Sequence, residues 1–401
     1  MSADHSCEYV LDASDPETWP GPGDDILDAD GRWECPHDAG EGKRCLFHRP
    51  VGRKEDEAVA DAFVDTLEAV ADGGSGKRHR HLQFVGARFG DFDLSGRTPD
   101  ISIPEADLVM THAAVAGKAD WTGAWFDVNS LRFRQTRWRG PADLADVAFD
   151  GDVDFSVARF EDATSFVRTA FAGESKFRVV RFDGPVLFEE ATFAGPVTFS
   201  GAEFEDATFE DASFRSDADC SHATFAGIAA FEGATFDESL DCTSIEFGGR
   251  SNFKRVEFGG DVDFTGPTTF GGKTLFIDAD FAGDVDFIGA EFQGDARFIR
   301  AQFDADATFY GVDLNGATFS RADLTDATFK GASLRETVLT SARLSRANLS
   351  GADLRGARLS GAVLGDARID EATRFLGHPS GEFDASPHTL AAIRSRPRCV
   401  Y

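Results

Sequence analysis

"ANLSGADLRGARLSGAVL", residues 347–364, places a leucine at 349, 354, 359 and 364 and an alanine two positions before each. An amphipathic helix repeats its apolar face near 3.6 residues and a strand near 2, so a period of five is neither. Upstream, "AEFEDATFEDASF" (202–214) keeps the period with Phe204, Phe209 and Phe214 in place of leucine. Working outward, the large apolar position runs from Phe133 through Trp138, Leu144, Phe149, Phe155, Phe160 and Phe166 to Phe309. Over 133–314 its spacing mostly alternates five and six; from Leu314 to Ile369 it is strictly five. Two residues before it stands a small or β-branched residue such as Ala202, Val262, Ala322 or Ala347.

These residues resemble the pentapeptide-repeat family, whose unit is Ala–(Asp/Asn)–Leu/Phe–x–x. The resemblance covers about 84–375: a degenerate part at 84–132, a Phe-rich five/six alternation at 133–314, and Leu-rich regular fives at 315–375. It implies an all-β solenoid, a right-handed quadrilateral β-helix with one pentapeptide per side and four per coil. The large residue and the small one before it then both point inward, and close packing requires one of the two to be small. Roughly thirteen coils at about 4.8 Å each would make a rod on the order of 60 Å. Positions 155, 177, 199, 220, 242 and 264 should share one column. The sixth residues read as one-residue bulges at two corners of the coil, and the Phe-rich coils are expected to be wider than the Leu-rich ones.

The 401 residues carry a formal net charge of −30, with 39 Phe against 2 Met and 3 Tyr, and arginine far outnumbers lysine. Such a surface suits a cytosol rich in potassium chloride, because the Debye length falls to about 3 Å at molar salt. The alternative is an acidic surface that imitates a nucleic acid. The charge is uneven: 141–314 holds 35 acidic and 12 basic residues, whereas 315–375 holds 7 acidic and 9 basic. Uniform salt adaptation does not predict that asymmetry. No apolar run of 18 residues and no basic-then-apolar leader is present, which predicts a cytoplasmic chain without a membrane segment.

Outside the repeats, residues 1–53 form a Cys/His-rich segment containing Cys7, Cys35, His37, Cys45 and His48. Zinc takes four thiolate or imidazole ligands in a tetrahedron, and so loop-rich a segment needs such a staple. Cys7, Cys35, Cys45 and His48 are the expected ligands of a structural zinc, with His37 as the alternative. Lys54 to Asp72 reads as a helix with Val59, Phe63, Leu67 and Val70 on one face, ended by Gly73-Gly74. Residues 54–74 should cap the first coil, whose apolar end would otherwise be exposed. The basic string at 77–81 reads as a solvated link, and the Pro-containing stretch 97–105 as a loop protruding between early coils. The C-terminal segment 376–401 offers one short helix from Ser386 to about Ile393. That end is expected either to dimerise or to precede more polypeptide, since some longer relatives carry a membrane segment there.

No metalloprotease, phosphate-loop or nucleophile-elbow motif occurs, so no enzyme activity is expected. Cys220 and Cys242 replace the inward Phe one coil apart and read as small buried hydrophobes. Asp219, Asp241 and Asp263 should form an outward carboxylate ladder, a candidate binding surface. The expected function is a non-catalytic scaffold binding an unidentified protein. Resemblance also implies a DNA mimic that binds DNA gyrase or another DNA-handling enzyme, or the soluble front of a membrane-associated protein. No direct nucleic-acid binding is expected.

Overall fold

In the computed structural model each repeat builds one side of a coil. The structure describes residues 6–12, 32–39, 43–72, 82–95, 102–375 and 384–385. They fall into two units: one runs to Ser165 and includes Thr169–Glu174, the other comprises Phe166–Arg168 and everything from Ser175.

The second unit shows the principle most plainly. Val197–Thr198 pairs in parallel with Ala218–Asp219, which pairs with Leu240–Asp241, then Val262–Asp263, Val285–Asp286 and Ala307–Thr308. The first residue of each strand is buried, as are the large residues that follow, Phe199, Cys220, Cys242, Phe264, Phe287 and Phe309. Each strand is only two residues long, yet its N–H and C=O groups are satisfied by the coils on either side, as burial of backbone requires. Phe177 also lies in this buried column, and Phe155 is buried in the first unit, so every position of the expected column is inward. A second face runs from Val186–Leu187 through Ala207–Thr208, Ala229–Ala230, Ser251–Asn252 and Thr274–Leu275 to Ala296–Arg297. Single bridges at Thr318, Val338 and Arg358 then extend it. That face carries six strand-paired turns in the second unit and belongs to a sheet of ten such strands, fewer than the roughly thirteen coils expected, with the further rungs held by single bridges.

Backbone conformation explains the two spacings. Most five-residue intervals turn through a left-handed residue two after the large one, such as Val179, Glu190, His222, Ser244 and Arg255. Most six-residue intervals turn with no positive φ, the extra residue supplying the length. From Phe309 onward a positive φ falls at nearly every corner, at Gly311, Gly316, Arg321, Asp326 and Gly331 among others, and the spacing is uniformly five. The extra residues therefore sit at alternate corners, as expected. At the longer corners adjacent coils touch. A Cβ on Gly249 would lie 2.0 Å from the Gly227 carbonyl oxygen, so only glycine fits.

The interior is stacked aromatics. Phe188, Phe209, Phe231, Phe253, Phe276 and Phe298 form a ladder with ring centroids 4.8–5.1 Å apart and planes within 9° of parallel. Rings of adjacent columns meet edge-on, as Phe247 and Phe253 do at 86°, so the quadrupoles are favourably arranged around the square.

In the first unit the square forms gradually. Ser102–Val109 and Trp125–Arg132 are parallel eight-residue strands, each spanning what later become two sides. Trp125–Arg132 pairs with both Ala148–Phe149 and Asp152–Asp154, so the intervening corner appears only at Gly151. The expected loop at 97–105 is thus corrected: 102–105 belong to a strand, because Ile103, Ala106 and Leu108 are buried on its inner side. Pro104, which lacks an N–H, falls where the register shifts, between Ile103 and Asp107. The degenerate repeat residues Phe84, Phe89, Leu94, Leu108, Trp121 and Phe126 are all buried. The helix is Asp56–Ala71, two residues shorter at its start than expected, with Val59, Phe63, Leu67 and Val70 inward. The string at 77–81, Gly73-Gly74 and the Ser386–Ile393 helix lie outside the described residues. Among the described residues no helix is long and apolar enough to cross a membrane.

Candidate metal centre

Two short pieces of chain deliver the cysteines. Val10–Asp12 pairs antiparallel with Arg32–Glu34, and the Cys35 N–H donates to the Tyr9 carbonyl at 3.2 Å. Cys7 and Cys35 therefore emerge at the same end of this ribbon. A 3-10 turn, Leu46–His48, puts Cys45 and His48 on one side, closed by the His48 N–H on the Cys45 carbonyl at 3.1 Å. The four side chains are buried, and their Sγ and imidazole atoms all lie within 4.8 Å of one another. Nδ1 of His48 is 3.1 Å from Cys45 Sγ and 3.7 Å from Cys7 Sγ, and Cys35 Sγ is 3.7 Å from Cys45 Sγ.

The surroundings orient these groups. His48 Nε2 donates to the Val85 carbonyl at 2.8 Å, leaving the Nδ1 lone pair aimed at the thiols. The Cys45 N–H donates to Cys7 Sγ at 3.2 Å. Hydrogen bonds from Cys35 and Cys45 pull the Cys7 thiol far below its ordinary pKa, and the same contacts push Cys35 up. Burial opposes a charge on His48, yet its bonds with Cys45 and Cys7 hold it up at about 9. A divalent metal bound there would displace the thiol protons. Three thiols and one imidazole are the donor set and number of a closed structural site that could hold a metal. His37, the alternative ligand, stands outside the quartet. Its Nδ1 lies 3.5 Å from Cys35 Sγ, and its ring stacks on Phe84.

The quartet also fastens the end of the solenoid. Tyr9 stacks on His48 at 3.9 Å and covers Gly86, where a Cβ would meet its hydroxyl at 2.2 Å. Phe47 and the helix residue Phe63 pack on Phe84 at 4.8 and 4.7 Å. Lys54 Nζ donates to the carbonyls of Leu46 and Phe47, and to that of Arg88 in the first coil. Lys54 was legible only as the start of the helix; its role depends on carbonyls that meet in space.

The carboxylates of the outward row have local partners. Asp219, Asp241 and Asp263 are in register, and each Oδ1 accepts the N–H two residues on, from Ser221, Thr243 and Thr265, at 2.7–2.9 Å. They are corner caps of the kind aspartate makes in turns. A second set escaped the sequence reading: Asp206, Asp261 and Asp284 accept backbone N–H groups of the next coil, from Ile228, Asp284 and Asp306. Asp261 and Asp284 sit at six-residue corners, whereas Asp206 lies in the five-residue interval between Phe204 and Phe209. Cys220 and Cys242 are free buried thiols, and burial raises Cys242.

A parallel β-solenoid with four short sides per coil, closed at its first coil by a Cys/His segment and a helix, is the class this geometry defines. The chain belongs to the pentapeptide-repeat proteins: pentapeptide-repeat profiles match residues 133–181, 177–224 and 268–313, and 305–340 and 337–373. Among solved structures it is similar to the pentapeptide-repeat protein Rfr23 of the cyanobacterium Cyanothece 51142, at 22% identity over 28% of this chain and 67% of that one, with a TM-score of 0.19. It is similar to HetL of Nostoc sp. strain PCC 7120, involved in heterocyst differentiation regulation, at 19% identity over 71% and 91%, with a TM-score of 0.15. A third is QnrB1, a plasmid-mediated fluoroquinolone resistance protein, at 12% identity over 59% and 96%, with a TM-score of 0.26. No curated protein matches the chain.

Proposed function

We propose that the chain is a non-catalytic scaffold whose regular faces bind a macromolecular partner, with a structural zinc holding its first coil closed. The observation that carries the scaffold reading is the fixed outward row. Asp219, Asp241 and Asp263 repeat once per coil, and each carboxylate is pinned by its own corner N–H. A rigid comb of charge with a backbone spacing of about 4.8 Å suits a partner with regularly placed basic groups. The same comb favours a second reading, mimicry of DNA toward a DNA-handling enzyme such as gyrase, which family resemblance suggests. The experiment captures partners on the full chain at molar potassium chloride, then repeats the capture with Asp219, Asp241 and Asp263 all changed to Asn. Asn preserves the corner bonds and removes the charge. Loss of a defined partner, with no competition by duplex DNA, supports the scaffold; competition by duplex DNA replaces it with mimicry. A partner retained in full by the triple variant removes this face from the reading.

Zinc is supported by the thiol-rich donor set and by the Val85 carbonyl that fixes the His48 tautomer. About one equivalent per chain is expected by metal analysis. Full reactivity of Cys7, Cys35 and Cys45 toward a thiol reagent in metal-free native protein would refute it.

A further inference from the structure

The second unit contains a groove of about 480 Å³ where the charge of the body reverses. Arg300, Arg321 and Arg343 line it, together with Ser341, Asp278 and Asp323. Arg300 and Arg321 occupy left-handed corners, φ 58° and 62°, one coil apart in the same column. The Arg300 N–H donates to the Ser320 carbonyl, and the Arg321 N–H to that of Thr340, so these corners stand on consecutive rungs. Two like charges stacked this closely repel unless something anionic lies against them.

The protein supplies that anion at only two of the three arginines. Arg300 makes a two-pronged contact with Asp278, and Arg343 pairs with Asp323 at 3.2 Å. Asp323 is further occupied by the N–H and hydroxyl of Thr325. Arg321 has no carboxylate within 4.0 Å among the described residues. Its guanidinium fork is therefore free in a groove that also holds the Ser341 hydroxyl, Gln302 and two guanidiniums, each of the latter already paired with a lining carboxylate, Asp278 or Asp323. A planar fork backed by further donors matches a tetrahedral oxyanion better than a point cation would.

We propose that this groove binds the phosphate group of a small phosphorylated ligand, with Arg321 as the principal contact and Arg300, Arg343 and Ser341 completing the donor set. Its volume exceeds that of inorganic phosphate and falls within the ordinary size of small-molecule sites. The surrounding acidity repels anions at long range, so binding rests on short-range fork geometry and tolerates salt better than a diffuse basic patch. The inference depends on neither the scaffold reading nor the zinc.

The test titrates the full chain calorimetrically with inorganic phosphate and with pyrophosphate, in about 0.15 M potassium chloride, where the Debye length is near 8 Å. Saturable binding at one site is expected, tighter for pyrophosphate. Arg321→Asn, which tolerates the left-handed corner, should weaken it at least tenfold, and Arg321→Lys, which keeps the charge without the fork, should fall between. Asp278→Asn should tighten it by releasing Arg300. Arg335→Ala, outside the groove, should leave it unchanged. No saturable binding, or equal affinity of the wild type and Arg321→Asn with unchanged circular dichroism, would overturn the proposal.

Discussion

Removing one ring from the Phe ladder tests whether the stacked column is what holds the coils together. Phe253 is 1% exposed and lies between Phe231 at 5.1 Å and Phe276 at 4.8 Å, both within 6° of parallel. Phe247 and Phe264 close it edge-on. The Phe253 N–H donates to the Leu275 carbonyl at 2.7 Å, and the Phe231 N–H to that of Asn252 at 2.8 Å, so neighbouring rings cannot slide into the gap without breaking rungs. Little relaxation means nearly the full penalty, about 3–5 kcal/mol for Phe→Ala, lost stacking included. A repeat array opens locally, so a single melting temperature would blur the effect. Hydrogen exchange at the amides of Phe231, Phe253 and Phe276 reads it directly. At 1.36 kcal/mol per factor of ten, protection there should fall by about two to nearly four orders of magnitude. Phe292 is less deeply buried than the other rings, and its replacement by Ala should cost less. A loss of protection under tenfold at Phe253→Ala would show that the column is loosely filled and that the rungs alone hold the coil.

Gly249→Ala should destabilise the second unit by about 1–3 kcal/mol, because its Cβ would sit 2.0 Å from the Gly227 carbonyl oxygen; unchanged urea stability would refute the close approach. Val179→Asn should raise stability by about 1 kcal/mol, since a β-branched residue 57% exposed at φ 54° gains nothing from burial to offset its strain. No rise on thermal melting would count against that account. His112 is held down to about 4, first by burial and then by Arg134. The unfolded chain takes up a proton near 6.5 and the folded one only near 4, so acid favours unfolding, and first-unit stability should fall as pH drops through that window. His112→Asn should flatten the slope seen by tryptophan fluorescence; an unchanged slope would assign it to other groups.

How much was legible from residues alone follows from what a period encodes. The five-residue recurrence of Phe204, Phe209 and Phe214 fixed which side chains face inward, because every inward position must meet its counterpart one coil away. The candidate ligands were legible as a set: Cys7, Cys35, Cys45 and the histidines His37 and His48 lie outside the repeat, and three thiols with one imidazole could hold a metal. The helix face of Val59, Phe63, Leu67 and Val70 was equally local. Spatial meetings were not legible. His37 has the same residue type and neighbourhood as His48, and only the stacking of His37 on Phe84 and the bond of His48 to Val85 separate them. The carboxylates of Asp219 and Asp261 look alike in sequence, yet one caps its own corner and the other the next coil. The stretch at 97–105 looked like a loop because proline ends most strands, whereas the partner strand Trp125–Arg132 absorbs the missing N–H as a register shift. Sequence alone determined the period, the inward set and the three candidate thiols, since these depend on each residue's own polarity and spacing. Which like residues touch, and so which arginine is left without a carboxylate, was decided by the stacking of coils, which brings together groups some twenty residues apart through backbone bonds that no side chain encodes.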